Sequence, residues 1–190
     1  MKSMIDYSGQ FQPDLQAEDF SPETLVGLLE LYRRLYIALD GFWYLTVKQR
    51  LGNDEALASD IETWEKHCKY EMSNITRQLN IQGNDVAALV KALQLTPWFM
   101  STGYRFDLKG PNHALLSVTS CPTLAALQEE GEGREHQICN IVDKKAFEYY
   151  ASFFNPDIEV RKLVSSTWSG QNDICCQWEF VLEGEDQAIS

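Results

Sequence analysis

From Asp54 onward, apolar residues recur at steps of four and three: Leu57, Ile61, Trp64, Cys68, Met72, Ile75 and Leu79. Such steps keep all of them on one side of a helix of 3.6 residues per turn. A helix with one long apolar seam must bury it, and the partners are expected among neighbouring helices of the same chain. Gly83 is the expected close of this helix, because glycine accepts the left-handed turn that ends one.

Upstream, Ser21 can cap a helix, Pro22 suits its first position, and Leu25, Leu28, Leu29, Tyr32, Leu35, Tyr36 and Leu39 supply an apolar stripe. Asp40-Gly41 either ends this helix and caps another through Trp43 to Gly52, or marks a kinked continuation. Residues 1–20 are polar, mixed and without period, and read as an N-terminal arm. Downstream, Asn84 is the expected cap of a shorter helix carrying Val86, Leu89, Val90 and Leu93, and Pro97 marks where the helical pattern stops.

Beyond Pro97 the period changes to two. Tyr104, Phe106 and Leu108 alternate with Arg105 and Asp107, a Lys109-Gly110-Pro111-Asn112 turn follows, and 114–119 is rich in Leu, Val and Thr, which predicts a hairpin. A short helix over 122–130, an acidic loop over 131–134 and a helix from Cys139 to Phe154 come next. Two strands close the chain, with Ile158, Val160 and Val164 on one face of the first. Ile174, Cys176, Trp178, Phe180 and Leu182 share a face of the second, and 169–173 joins the two. The fold class is α+β: N-terminal helices packed on a C-terminal antiparallel sheet of about four strands, with intervening helices. Residues 21–190 are expected to form one domain, since no repeat, low-complexity tract or Gly/Ser linker divides them.

The chain carries 28 acids against 16 bases, a formal charge of −12, and has no Lys/Arg stripe to neutralise a phosphate backbone, so nucleic acid is not an expected partner. The start, MKSMIDYSGQ, lacks an apolar segment behind a basic end, and no run of about 18 apolar residues occurs, so neither export nor membrane spanning is expected. Five cysteines at 68, 121, 139, 175 and 176 are an odd count and predict reduced thiols in the cytoplasm.

Those cysteines are also the chief chemical signal. Cys121 is expected at the end of a strand, Cys139 at a helix start and Cys176 on the inward face of the last strand, where a fold can join them. Thiolates bind zinc or another soft metal, and a thiol at a helix N-terminus is eased toward the nucleophilic form. His136 lies three residues before Cys139 and Asp143 four after it, as base, ligand or orienting partner. Against this, cysteine packs well as a small hydrophobe, Cys176 can fill the core beside Trp178, and no CxxC or HxxxH spacing occurs. Asp40 and Trp43 form a polar and aromatic pair that either lines a pocket or caps and packs a helix. Phosphate loops and the GxSxG, HExxH and EF-hand patterns are absent.

The segment DGFWYLTVKQRLGNDEALASDIETWEKH, followed by a strand ending in Cys, then HxxC and CCQWEF, resembles an uncharacterised family of prokaryotic cytosolic proteins. That family is in turn similar to the L-2-amino-thiazoline-4-carboxylic acid hydrolase-like family, whose last strand carries a cysteine two residues before an aromatic, here Cys176 before Trp178. The resemblance implies a hydrolase-like activity on small cyclic amidine or thiazoline acids. It places further cysteines on Cys121 and on Cys139 with Asp143, the last spacing being one residue longer than the family pattern. The order of helices then sheet is also similar to ligand-binding domains of the 4-vinyl reductase type.

Three readings stand. One is a small-molecule pocket near the cysteines, with Cys139 or Cys176 as nucleophile assisted by His136 or Asp143, and with Cys121, Asp40, Trp43 and Trp178 holding the ligand. The second is a metal-binding or sensing module on Cys121, Cys139, Cys176 and His136. The third is a structural interaction protein, for which Tyr149-Tyr150 with Phe153-Phe154 would supply a homodimer face.

Overall fold

Ser21 accepts a hydrogen bond from the Thr24 N–H and Pro22 takes the first turn, and from there helix α1 runs unbroken from Pro22 to Leu51. These observations come from a computed structural model, which describes residues 3–164 and 174–183. Of the two readings left open at Asp40-Gly41, the continuous helix is the one adopted. Gly52, at φ 95, turns the chain into α2 (Asn53–Leu79), and the two long helices pack as a hairpin. The N-terminal arm is tied to this start: Met4 bridges Phe20, and the Ser21 N–H donates to the Met4 carbonyl at 2.8 Å.

Helix α2 ends at Asn80, in the left-handed region at φ 51, rather than at Gly83. Gly83 instead turns the loop that follows, at φ 112. Asp85, not Asn84, caps α3 (Val86–Leu93), because its carboxylate accepts from the Ala88 N–H at 2.8 Å. Pro97 opens a short helix, α4 (Pro97–Ser101), behind the Thr96 cap, so it starts a turn where the sequence suggested a stop.

The hairpin follows as expected, β1 (Gly103–Gly110) against β2 (His113–Ser120). After α5 (Pro122–Glu130), a helical run begins at α6 (Glu135–Gln137), widens into a π turn over Ile138–Val142 and continues as α7 (Asp143–Phe154). Cys139 therefore lies inside a helical run whose N-terminus is at Glu135. Strands β3 (Ile158–Val164) and β4 (Cys176–Leu182) complete an antiparallel sheet of order β1-β2-β4-β3. The segment expected to join them, 169–173, lies outside the described residues. A register shift between Lys162 and Val164 turns Val164 outward, while Lys162, in step with Ile158 and Val160, faces inward opposite Trp178.

One face of the sheet carries Ala114, Leu116, Val118, Trp178 and Phe180, all fully buried under α3 and α7. The seam of α2 joins the same core through Cys68 and Met72. The other face is polar, with Glu179 paired to His113 at 3.0 Å and Gln177 donating to Ser117 at 2.9 Å. Tyr150 is buried and Tyr149, Phe153 and Phe154 are half-buried against the core, so that run is not an exposed patch. No helix among the described residues is long and apolar enough to cross a membrane.

Candidate functional site

Three acids from three helices meet around one internal cavity. Asp40 comes from α1, Asp60 from α2 and Asp143 from the first position of α7. Asp60 stands one turn after fully buried Ala56 and one before Trp64, on the side of α2 that faces the interior, and is only 5% exposed. Asp143 follows directly on the π turn, whose wider winding rephases the helix so that Ile138, Val142, Asp143 and Ala146 all line the cavity. Trp64, Trp98, Phe99, Phe147 and Tyr150 supply aromatic walls, and Thr96 and Thr123 add hydroxyls.

The cavity measures about 70 Å³. Two outer pockets of about 350 and 370 Å³ adjoin it, one lined by Tyr36, Trp43 and His67, the other between α1 and α5 with Tyr44 and Arg134. Asp40 lines all three spaces, and Asp60 is shared by the cavity and the α1–α5 pocket.

Removing a carboxylate from water disfavours its charged form. Burial pushes Asp60 up to about 7, with Asp40 and Asp143 adding repulsion and the Trp64 side chain hydrogen-bonding against the shift. Burial likewise raises Asp143 to about 6, Lys162 opposing and Asp40 reinforcing. Asp40 is raised by burial and held back by His67. Lys162 is placed by the π turn itself, donating to the Cys139 carbonyl at 2.7 Å and to Asn140 Oδ1 at 2.8 Å, with its ammonium 5.0 Å from the Trp178 ring centre.

A polar chain leads out of the cavity. Tyr150 donates to Glu71 Oε2 at 2.6 Å, Glu71 Oε1 lies 3.6 Å from His67 Nε2, and that nitrogen is 2.6 Å from the Tyr36 hydroxyl. Tyr150 lines the inner cavity while His67 and Tyr36 line an outer pocket, so the chain connects the two spaces.

The sequence-derived candidates separate into groups. Asp143 and Asp40 line the cavity, and Trp43 lines the outer pocket beside His67. Cys121, Cys139 and Cys176 come close enough for the Cys121 thiol to feel the other two and Asp143. They lie outside the cavity lining: Cys121 caps α5 by accepting from the Leu124 N–H at 3.4 Å and borders a shallow surface pocket, Cys139 is buried in the π turn, and Cys176 faces the core. Burial raises Cys121 to about 12 and Cys176 to about 11. The His136 side chain is 70% exposed, with Glu135 at 3.9 Å, and lines none of these spaces. Trp178 is fully buried in the core. Among the described residues no group of three or more His, Cys, Asp or Glu side chains is arranged to hold a metal ion, so the thiols and His136 do not fit zinc.

Asp60, His67, Glu71 and Lys162 were not singled out from the sequence, and Tyr150 was read only as part of a dimer face. The one signal available for Asp60 was its spacing of four from Ala56 and from Trp64, which puts a carboxylate on an inward face.

The fold and the cavity define an α+β protein with an acid-lined, aromatic-walled pocket adjoined by a second pocket between its two long helices. The chain belongs to the family of unknown function DUF6125, whose pattern matches residues 18–182. No curated protein and no solved structure matches the chain.

Proposed function

We propose that this protein binds a small organic cation, of amidinium, guanidinium or ammonium type, in the cavity between Asp40, Asp60 and Asp143. The observation that carries the reading is three carboxyl groups raised by burial around a space walled by aromatic rings. Such groups carry a charge that the protein itself only partly compensates, and an incoming cation relieves it. The rings of Trp64, Trp98 and Tyr150 add the attraction of their π faces. The outer pocket at Trp43 and His67 would take the remainder of a larger ligand. Reduced thiols, indicated by the odd cysteine count, support a cytoplasmic setting.

Thermal denaturation at pH 8 with guanidinium, acetamidinium and small primary amines tests this, with neutral amides of matching shape as controls. Cations are expected to raise the melting temperature and the amides to leave it unchanged, and Asp60→Asn with Asp143→Asn to abolish the difference. Equal stabilisation by the neutral set would sink the reading. Because Asp60 and Asp143 titrate near 7 and 6, affinity is expected to rise with pH across that range, with protons released on binding.

A second reading, hydrolysis of a cyclic amidine or thiazoline acid, rests on those same two carboxyls. A group titrating close to neutrality can take a proton from water and return it to a leaving nitrogen. In this reading Asp60 or Asp143 is the base, since burial holds the Cys121 and Cys176 thiols protonated. Incubation with 2-amino-thiazoline-4-carboxylate, with mass spectrometry for the gain of one water, decides it.

A further inference from the structure

Helix α1 carries large apolar side chains on more than one side, yet the rest of the chain covers only part of them. The inner side carries Tyr44, Ile37 and Asp40 toward the body, while Leu28, Leu31, Tyr32, Leu35, Leu39 and Phe42 run down the outer side. Of these, Tyr32 is 61% exposed, Leu35 54%, Leu39 69% and Phe42 67%. A helix apolar on both sides belongs in an interior.

We propose that the outer face of α1 pairs, antiparallel and across a two-fold axis near Leu35, with α1 of a second copy of this chain. Three features of the molecule select that occupant. First, Leu25, Leu28, Tyr32, Leu35, Leu39 and Phe42 are spaced three, four, three, four, three, the seam that lets one helix pack against its own copy. Leu28 and Phe42 lie equally far from Leu35 on either side, so a two-fold axis there sets each opposite the other.

Second, charge permits it. The whole chain carries −12, which drives copies apart, but α1 holds four bases (Arg33, Arg34, Lys48, Arg50) against three acids (Glu23, Glu30, Asp40). Lys48 is already paired with Glu130 and Glu132 of its own chain, which leaves Arg50, among the described residues, as the free cation near that end. An antiparallel pair brings Glu23 of each copy near the Arg50 end of the other and opposes the two helix dipoles, whereas a parallel pair would set like on like. Third, the exposed side chains Leu31, Tyr32, Leu35, Leu39 and Phe42, at roughly 100 Å² each, cover on the order of 500 Å² per copy, at the lower bound for a stable interface, with half-buried Leu25 and Leu28 extending the seam. Leu39 and Trp43 also rim one outer pocket and Phe42 the other, so the second copy would roof both mouths of the acid-lined cavity.

Sedimentation equilibrium of the full chain at tens of micromolar is expected to give twice the 21.8 kDa chain mass. Leu35→Glu combined with Leu39→Glu is expected to halve that mass while leaving far-UV circular dichroism and the melting transition of the monomer intact, both positions being solvent-facing. Separately, Leu35→Cys under mild oxidation with diamide is expected to give a covalent dimer, absent from wild type, whereas Leu28→Cys is not. A monomeric wild type, a double variant that stays dimeric, or cross-linking through Leu28→Cys instead of Leu35→Cys overturns the proposal. None of these outcomes depends on whether a cation occupies the cavity.

Discussion

Tyr150, on α7, donates a 2.6 Å hydrogen bond to Glu71 on α2, and both side chains are buried. This contact pins the helix that presents Asp143 to the helix that presents Asp60. It is also the inner end of the polar chain toward His67 and Tyr36.

Tyr150→Phe keeps the ring and removes the donor, leaving Glu71 with His67 at 3.6 Å as its remaining partner. A buried acceptor stripped of a charge-assisted bond costs about 2 kcal/mol. Urea denaturation is expected to show a loss of that size with an unchanged slope. A loss below about 0.5 kcal/mol would mean that water replaces the hydroxyl at no cost.

Stability should fall as pH rises through the range of the buried acids. Asp60 and Asp143 titrate at about 7 and about 6 in the folded chain against 3.8 for an ordinary aspartate. Between about 4 and 7 the folded state holds more protons than the unfolded one, so ΔG of unfolding declines with rising pH. The melting temperature is expected to be higher at pH 5 than at pH 8. Asp60→Asn should flatten that slope and raise the pH 8 value; a steeper or unaltered profile would contradict the assignment.

Burial raises the thiols of Cys68 and Cys121 to about 12 and that of Cys176 to about 11. The thiolate is the reactive species, so these positions should resist iodoacetamide at pH 7.5 in folded protein and react once unfolded. Mass spectrometry of peptides after timed alkylation reads this directly. Rapid native labelling of Cys176 would restore it as a nucleophile.

Trp178 lies at the centre of the sheet's inner face, with the Phe147 ring 4.9 Å away, centre to centre. Trp178→Ala leaves a void the surrounding strands cannot close and is expected to cost on the order of 4 kcal/mol. Trp43→Ala, in the outer pocket and 37% exposed, should cost far less by calorimetry while weakening any ligand that reaches His67.

Much of the fold was legible in local pattern. The steps of four and three from Leu57 to Leu79, the Ser21-Pro22 start and the alternation in β1 and β4 each mark a regular element, and each element formed, although Leu108 near the end of β1 is exposed and Ile174 precedes β4, which begins at Cys176. The errors fell at boundaries where several caps competed. Asp85 outdid Asn84 because its carboxylate reached the Ala88 N–H, and Asn80 took the left-handed turn assigned to Gly83. Alternation with Ile158 and Val160 already puts Lys162 on the inward face, but its partner was unreadable, since the π-turn carbonyl that receives it belongs to a separate segment.

The site divided along the same line. Sequence alone determined that this chain makes helices first and an antiparallel sheet afterwards, because periodicity depends only on near neighbours, while the structure settled that the helix runs unbroken through Asp40-Gly41. It also drew attention to Asp40 and Asp143, but attached the chemistry to cysteines, whose reactivity depends on solvation that no spacing reveals. Only the tertiary structure decided that Asp40, Asp60 and Asp143, from three helices, share one cavity while His136 faces water. Meeting across the fold is a matter of packing angle and helix phase, and the π turn before Asp143 sets that phase.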